Sequence, residues 1–303
     1  MSSVLLRHSG KRHPRRGGLR FHLFGPLQAL VDDEPLPLGP PKQQALLATL
    51  LLRLGMSTGS EQLIHALWGT EPPAYAKNLV QKYVSGLRSA FAAVETPGRV
   101  PELLWSAGGY RLETGDAWVD LHEYEFLASA GTTLALTGSL HQSAQHLDEA
   151  RVLVTGPLAE GLDAPILERE RVYRDERFLA DMELRAEVEL DLGRHRNAIP
   201  YLYFVLHKHP LQERFIWLLM LALFRSNRGA EALTVYNDYR QRLVTELGTD
   251  PGQALQELHR AVLGQDPELM IIRTLPVPGT SEPRRPQDPE PPMLPGDMST
   301  VTA

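Results

Sequence analysis

The chain has no cysteine in its 303 residues. That absence excludes a disulfide framework, a thiolate zinc site, an iron–sulfur cluster and a cysteine nucleophile. Long apolar runs are missing too. The most hydrophobic stretch, residues 45–54, is interrupted by Thr49 and Arg53 and falls short of the roughly 20 residues a bilayer-spanning helix needs. The opening MSSVLLRHSGKRHPRRGG holds no apolar segment long enough for a signal peptide. A cytoplasmic location with no membrane partner is therefore expected, nucleoid-associated when the protein is bound. Catalytic motifs are lacking as well: there is no H-E-x-x-H, G-x-S-x-G or G-x-x-x-x-G-K-[ST]. The pairs His141 with His146 and His207 with His209 lack the i, i+4 spacing that puts two imidazoles on one helix face. They read as surface or helix-end residues, so neither an enzyme, a metal site nor a cofactor is expected.

What is present is a soluble composition, 43% hydrophobic and 22% charged, enough for one large core or two ordinary ones, with two the better prior at this length. The net charge of −6 is unevenly spread. Residues 1–18 carry Arg7, Lys11, Arg12, Arg15 and Arg16 without an acid, whereas acids outnumber bases by eight over residues 118–273. This asymmetry suggests a DNA-facing front and a protein-facing back. A basic leader of this length also reads as disordered and solvated. The stretch 274–303 contains eight prolines and cannot offset the entropy of ordering; a disordered spacer is expected, with a proline-motif ligand as the other reading.

Residues 19–38, with Gly25-Pro26 and Asp32-Asp33-Glu34-Pro35 between short apolar stretches, predict three brief antiparallel strands. The period then becomes helical. The spacing predicts a helix over 41–54, a second over 61–68 capped by Ser60, and a third over 74–94, followed by strands over 100–106 and 110–113. Sheet, three helices and a hairpin make a winged helix. On the third helix Val80, Val84, Leu87 and Phe91 share the core face. The opposite face presents Asn78, Lys82, Ser85, Gly86 and Ser89, flanked by Lys77, Gln81 and Arg88. Amide and cationic side chains on such a face can reach base edges, and hydroxyls can reach phosphates. Alone, this helix reads equally well as an amphipathic surface helix; its surroundings favour the DNA reading.

From residue 120 the pattern is almost wholly helical, with candidates over 121–130, 140–153, 166–192, 198–207, 211–225, 230–247 and 251–263. Within it, LDLGRHRNAI and LFRSNRGAEAL superpose at an offset of 34, with Gly193 on Asn227, Ala198 on Ala232 and Ile199 on Leu233. That is the tetratricopeptide period. The expected fold is mainly α with a small β component: a winged helix over 19–117, then an all-α TPR-like array over 118–273.

Longer stretches carry a family resemblance. LFGPLQALVDDEPLPLGPPKQQALLATLLLRLG, LIHALWGTEPPAYAKNLVQKYVSGLR and GGYRLE resemble the DNA-binding half of the Streptomyces antibiotic regulatory protein (SARP) family, an OmpR-type winged helix. DLHEYEFL, GPLAEGL, LDLGRH and the run from His209 to Leu263 resemble that family's bacterial transcriptional activation domain. The resemblance implies a pathway-specific activator of antibiotic or other secondary-metabolite genes. It would bind double-stranded promoter DNA with tandem direct repeats, a second copy sitting on the adjacent repeat, and recruit RNA polymerase holoenzyme through its sigma factor.

By position, the resemblance makes Lys77, Asn78, Gln81, Lys82, Ser85 and Arg88 the recognition-helix contacts. It places Lys42 and Gln43 near phosphate, Arg111 in the wing, and Thr70, Glu71 and Pro72 in a polymerase-contact loop. The family's YVSRLR reads YVSGLR here, so Gly86 replaces an arginine. Two accounts of Gly86 are open, both placing it on the outer face: close approach to DNA, or a missing contact that Gly86→Arg would restore. Larger relatives add a nucleotide-binding domain; without a phosphate loop here no ATPase is expected, nor is a receiver domain before the winged helix. The other functional class is a helical-repeat interaction module whose winged helix docks protein rather than DNA. Salt-dependent promoter binding separates the two.

Overall fold

A computed structural model describes residues 18–95 and 98–275. The expected leader up to residue 17 and the proline-rich stretch from residue 276 lie outside the described residues. Strands β1 (Leu19–His22), β2 (Gln28–Val31) and β3 (Glu34–Pro35) form an antiparallel meander, with Leu19 opposite Val31 and Val31 opposite Glu34. The turn Asp32-Asp33 takes positive φ at both residues, 51° and 72°. That mirror-image turn follows the strand twist, and Asp tolerates it.

Helix α1 (Pro41–Leu52) starts on a proline at its first position, where the missing N–H costs nothing. It is buried on all sides and forms the axis of the front core. After β4 (Thr58–Gly59) comes α2 (Ser60–Trp68). Its N-cap is Gly59 rather than Ser60, and Gln62 Oε1 reaches back to accept the Gly59 N–H at 3.1 Å. Helix α3 (Ala76–Ala92) leads to the hairpin of β5 (Glu102–Ser106) and β6 (Gly109–Glu113), which turns on Ala107 (φ 51°) and Gly108 (φ 76°). β4 pairs with β6, giving the sheet order β4-β6-β5, so β5 is an edge. The chain then returns as β7 (Trp118–Val119), parallel to β1.

The seven predicted helices are present: α4 (Asp120–Leu136), α5 (Leu140–Leu153), α6 (Pro165–Asp191), α7 (His195–Lys208), α8 (Glu213–Arg225), α9 (Gly229–Leu247) and α10 (Gln253–Leu263). A 3₁₀ turn, Pro267–Met270, follows. The 34-residue offset has a backbone counterpart. Gly193 and Asn227 both take positive φ, 73° and 61°, and the next residue's N–H returns to the carbonyl five back, Arg194 to Glu189 and Arg228 to Leu223, each at 2.9 Å. Gly138 repeats this Schellman turn between α4 and α5, with Ser139 N–H donating to Leu134 at 2.8 Å.

Packing does not divide at residue 117. The front core runs from Leu19 through the winged helix and takes in Leu121, Tyr124, Leu158, Ile166 and Leu167. The rear core gathers Leu179, Met182 and Leu190 of α6 with α7 to α10. Two of the family-like motifs lie at this seam. Asp120, buried, accepts the N–H groups of Leu23 and Phe24 at 2.8 and 3.1 Å. In the second motif Ala159 N–H donates to Leu23 and Glu160 N–H to Gly25, while Arg171 donates to the carbonyls of Leu158, Ala159 and Leu162. At the far end Arg225 is buried and donates to Leu269 at 2.8 Å and to Ile272. Thr274 donates to Asp191, and Leu275 packs beside Val188. Those last two residues, assigned by composition to the tail, are held by the helical array.

Candidate nucleic-acid interface

Helix α3 buries Ala76, Val80, Val84, Leu87 and Phe91, recurring at three and four residues, and thereby fixes which face is left to solvent. Lys77, Asn78, Gln81, Lys82, Ser85, Arg88 and Ser89 are exposed. Tyr75, just before the helix, is 62% exposed; the sequence reading passed over it, although an aromatic at a helix entrance is a visible signal. The hairpin stands beside α3. Its Trp105 is 57% exposed and packs edge-on against Tyr110, with ring centroids 4.8 Å apart. In this way α3 and the hairpin bring Lys77, Asn78, Gln81, Lys82, Ser85 and Trp105 onto the outside of one unit.

Other predicted contacts sit differently. Lys42 directs its Nζ inward, to the carbonyls of Leu67 at 3.1 Å and Asp163 at 2.8 Å. It thereby ties α1 to the C-terminus of α2 and to the seam loop, instead of reaching towards phosphate. Gln43 is only 7% exposed and its Nε2 donates to Leu38 at 3.0 Å. Both side chains are spent on the fold because α1 is a central helix and not an outer one. Arg88 turns its fork onto the wing, Nε and Nη2 both donating to the Leu103 carbonyl at 2.9 and 2.6 Å. Arg111 pairs with Glu113 at 2.6 Å.

Gly86 requires a correction. A Cβ at this position would stand 2.5 Å from Gln43 Oε1 and 2.8 Å from Nε2, so the glycine is the point where α3 approaches α1. It faces a neighbouring helix, and neither account that placed it towards DNA holds. The loop residues Thr70, Glu71 and Pro72 are exposed, following Gly69 with its φ of 65°. Electrostatically the seam is distinctive. Burial pushes the Asp120 carboxyl up to about 6 against the pull of its backbone N–H donors, and burial together with Arg20 lowers His22.

A winged helix whose third helix is exposed, polar and basic on its outer face, followed by a TPR-like helical array, defines the architectural class. Residues 119–263 match the family described as "Bacterial transcriptional activator domain". Regulatory protein AfsR of Streptomyces coelicolor is 42% identical over 254 residues, 84% of this chain and 25% of that protein. Regulatory protein DnrI of Streptomyces peucetius is 30% identical over 254 residues, 82% of this chain and 93% of DnrI. The structure of Mycobacterium tuberculosis EmbR in complex with a low-affinity phosphopeptide has TM-score 0.73 at 33% identity, covering 82% of this chain and 66% of that one. The chain belongs to the SARP family of transcriptional regulators. It spans a quarter of the length of AfsR.

Proposed function

We propose that this chain is a pathway-specific transcriptional activator that binds promoter DNA carrying tandem direct repeats and recruits RNA polymerase holoenzyme, with its sigma factor, to secondary-metabolite genes. It acts in the cytoplasm, one copy per repeat. The observation that carries the reading is the continuous exposed stripe Lys77, Asn78, Gln81, Lys82 and Ser85 opposite the buried stripe of α3. Its width and chemistry suit a major groove: amides and a lysine for base edges, a hydroxyl and a second lysine for phosphates. Arg111 and Trp105 are the hairpin groups offered to the neighbouring minor groove or backbone. Thr70, Glu71 and Pro72, exposed between α2 and α3, supply the polymerase-facing loop.

A mobility shift on promoters of secondary-metabolite genes, run across a salt series, tests this. Log affinity falls linearly with log salt if Lys77 and Lys82 neutralise phosphates. Lys82→Ala then lowers the salt slope by about one if its partner is a phosphate, or relaxes one base position at a cost of about 1–3 kcal/mol if it reads a base. Salt-independent or absent binding overturns the DNA reading and favours a winged helix that docks protein.

A further inference from the structure

Arg88 closes the exposed stripe of α3 and, by sequence, is one more cation for DNA. Its geometry says otherwise. Nε and Nη2 converge on one acceptor, the Leu103 carbonyl of β5, at 2.9 and 2.6 Å. β5 is the outer strand of its sheet. The hairpin is otherwise anchored by the buried Leu103, Tyr110 and Leu112, by the two-residue pairing of β4 with β6, and by the Ser57 hydroxyl, which donates to the Ser106 carbonyl. Beyond Leu103 the β5 side of the hairpin turns outward, with Trp105 exposed and packed on the buried Tyr110 of β6. Among the described residues, both side-chain hydrogen bonds joining α3 to this hairpin come from Arg88, and no carboxylate lies within 4.0 Å of it to share the fork.

We infer that Arg88 is a positioning residue that sets the distance and angle of the wing from the recognition helix, and is not itself a nucleic-acid contact. The inference rests on the reading of α3 and the hairpin as the DNA-facing surface. A charge-assisted fork on a single carbonyl fixes direction as well as distance, and a hairpin already held at one angle loses less entropy on binding. The wing groups Trp105 and Arg111 therefore act on DNA at a separation from Lys82 that Arg88 maintains.

Two substitutions separate position from charge. In Arg88→Gln the amide Nε2 sits at the same place along the side chain as the arginine Nε, so one donor to Leu103 survives while the charge goes. In Arg88→Lys the charge stays but a methylene replaces that donor. With full-length protein and promoter DNA, Arg88→Gln should bind within about threefold of the parent at an unchanged salt slope, whereas Arg88→Lys should lose about tenfold. Hydroxyl-radical protection under the hairpin should fade in Arg88→Lys, and protection under α3 should remain. The reverse pattern, a normal Arg88→Lys and an Arg88→Gln whose slope drops by about one, makes Arg88 a phosphate contact and overturns the inference.

Hydrogen exchange of the free protein supplies a readout without DNA. Amides of residues 103–110 should exchange faster in Arg88→Lys than in Arg88→Gln; equal protection in both refutes the lock whatever the DNA result. If the parent fails to bind DNA while this difference in exchange persists, the DNA reading falls and the lock stands.

Discussion

Gly86→Ala is the substitution on which propensity and packing disagree most plainly. In an isolated helix, alanine for glycine is worth about 0.5–1 kcal/mol in favour of folding. Here the new methyl would lie 2.5 Å from Gln43 Oε1, and the amide cannot yield freely. Gln43 is buried, and its Nε2 is held by the Leu38 carbonyl at 3.0 Å. Displacing it forfeits a hydrogen bond worth about 1 kcal/mol and leaves buried polar groups unpaired at a further cost of about 1–3 kcal/mol. The expected balance is a net destabilisation of about 1–3.5 kcal/mol. For a protein of this size that is a fall in Tm of about 2–6 °C.

Scanning calorimetry with urea titrations measures this effect. The double variant Gly86→Ala with Gln43→Ala identifies its cause, because removing the amide vacates the space the methyl takes. The pair should be more stable than the sum of the single effects by about 1 kcal/mol or more. Gly86→Arg should weaken DNA binding by levering α3 off α1. A raised Tm for Gly86→Ala alone, with additive behaviour in the double variant, would show that Gln43 does not confine this position.

Glu71→Ala should reduce transcription from a bound promoter by more than it reduces promoter affinity; equal losses would remove the loop from the activating surface. A fragment ending at Ala117 discards Val119, Asp120, Leu121, Tyr124 and the seam loop from the front core, so it should unfold without cooperativity, while one extended through Asp175 should melt sharply. Intact, cooperative folding of the shorter fragment would contradict the packing described. Asp120 predicts a pH dependence of unusual sign. Its folded pKa of about 6 lies above the ordinary 3.8, so between those values the folded state keeps a proton that the unfolded chain has released. Its contribution to stability is full below about pH 4 and disappears as the pH rises through 6. Urea-derived stability measured across this range should lose that falling limb in Asp120→Asn, and superimposable profiles would refute it.

Much of this architecture could be read from the chain because apolar spacing and turn residues report local structure. The 34-residue offset marked two left-handed turns, at Gly193 and Asn227, and the buried stripe of α3 followed from its period. What stayed hidden was contact between distant segments. Strands β4 and β7 are two residues each, too short to show an alternation. The acceptor for Lys42 lies 121 residues away at Asp163, and no pattern within α1 announces it. A helical projection also places Gly86 relative to its own helix only. It cannot show that α1 leans on that flank and turns an apparent surface position into a contact.

Helix α6 gives the molecule a phase. Its 27 residues, running from Pro165 to Asp191, span about 40 Å at the usual rise per residue. Ile166 and Leu167 are set in one core, Leu179 and Met182 in the other. An uninterrupted rod sunk at both ends transmits rotation, so whichever way the front unit is turned about the duplex, the rear unit is turned with it. On the DNA-binding function proposed above, the compass bearing of the rear surface is then dictated by where on the DNA helix the front unit sits. Inserting one residue at the middle of the rod would swing that bearing by about 100°, much as sliding the binding site by about three base pairs would.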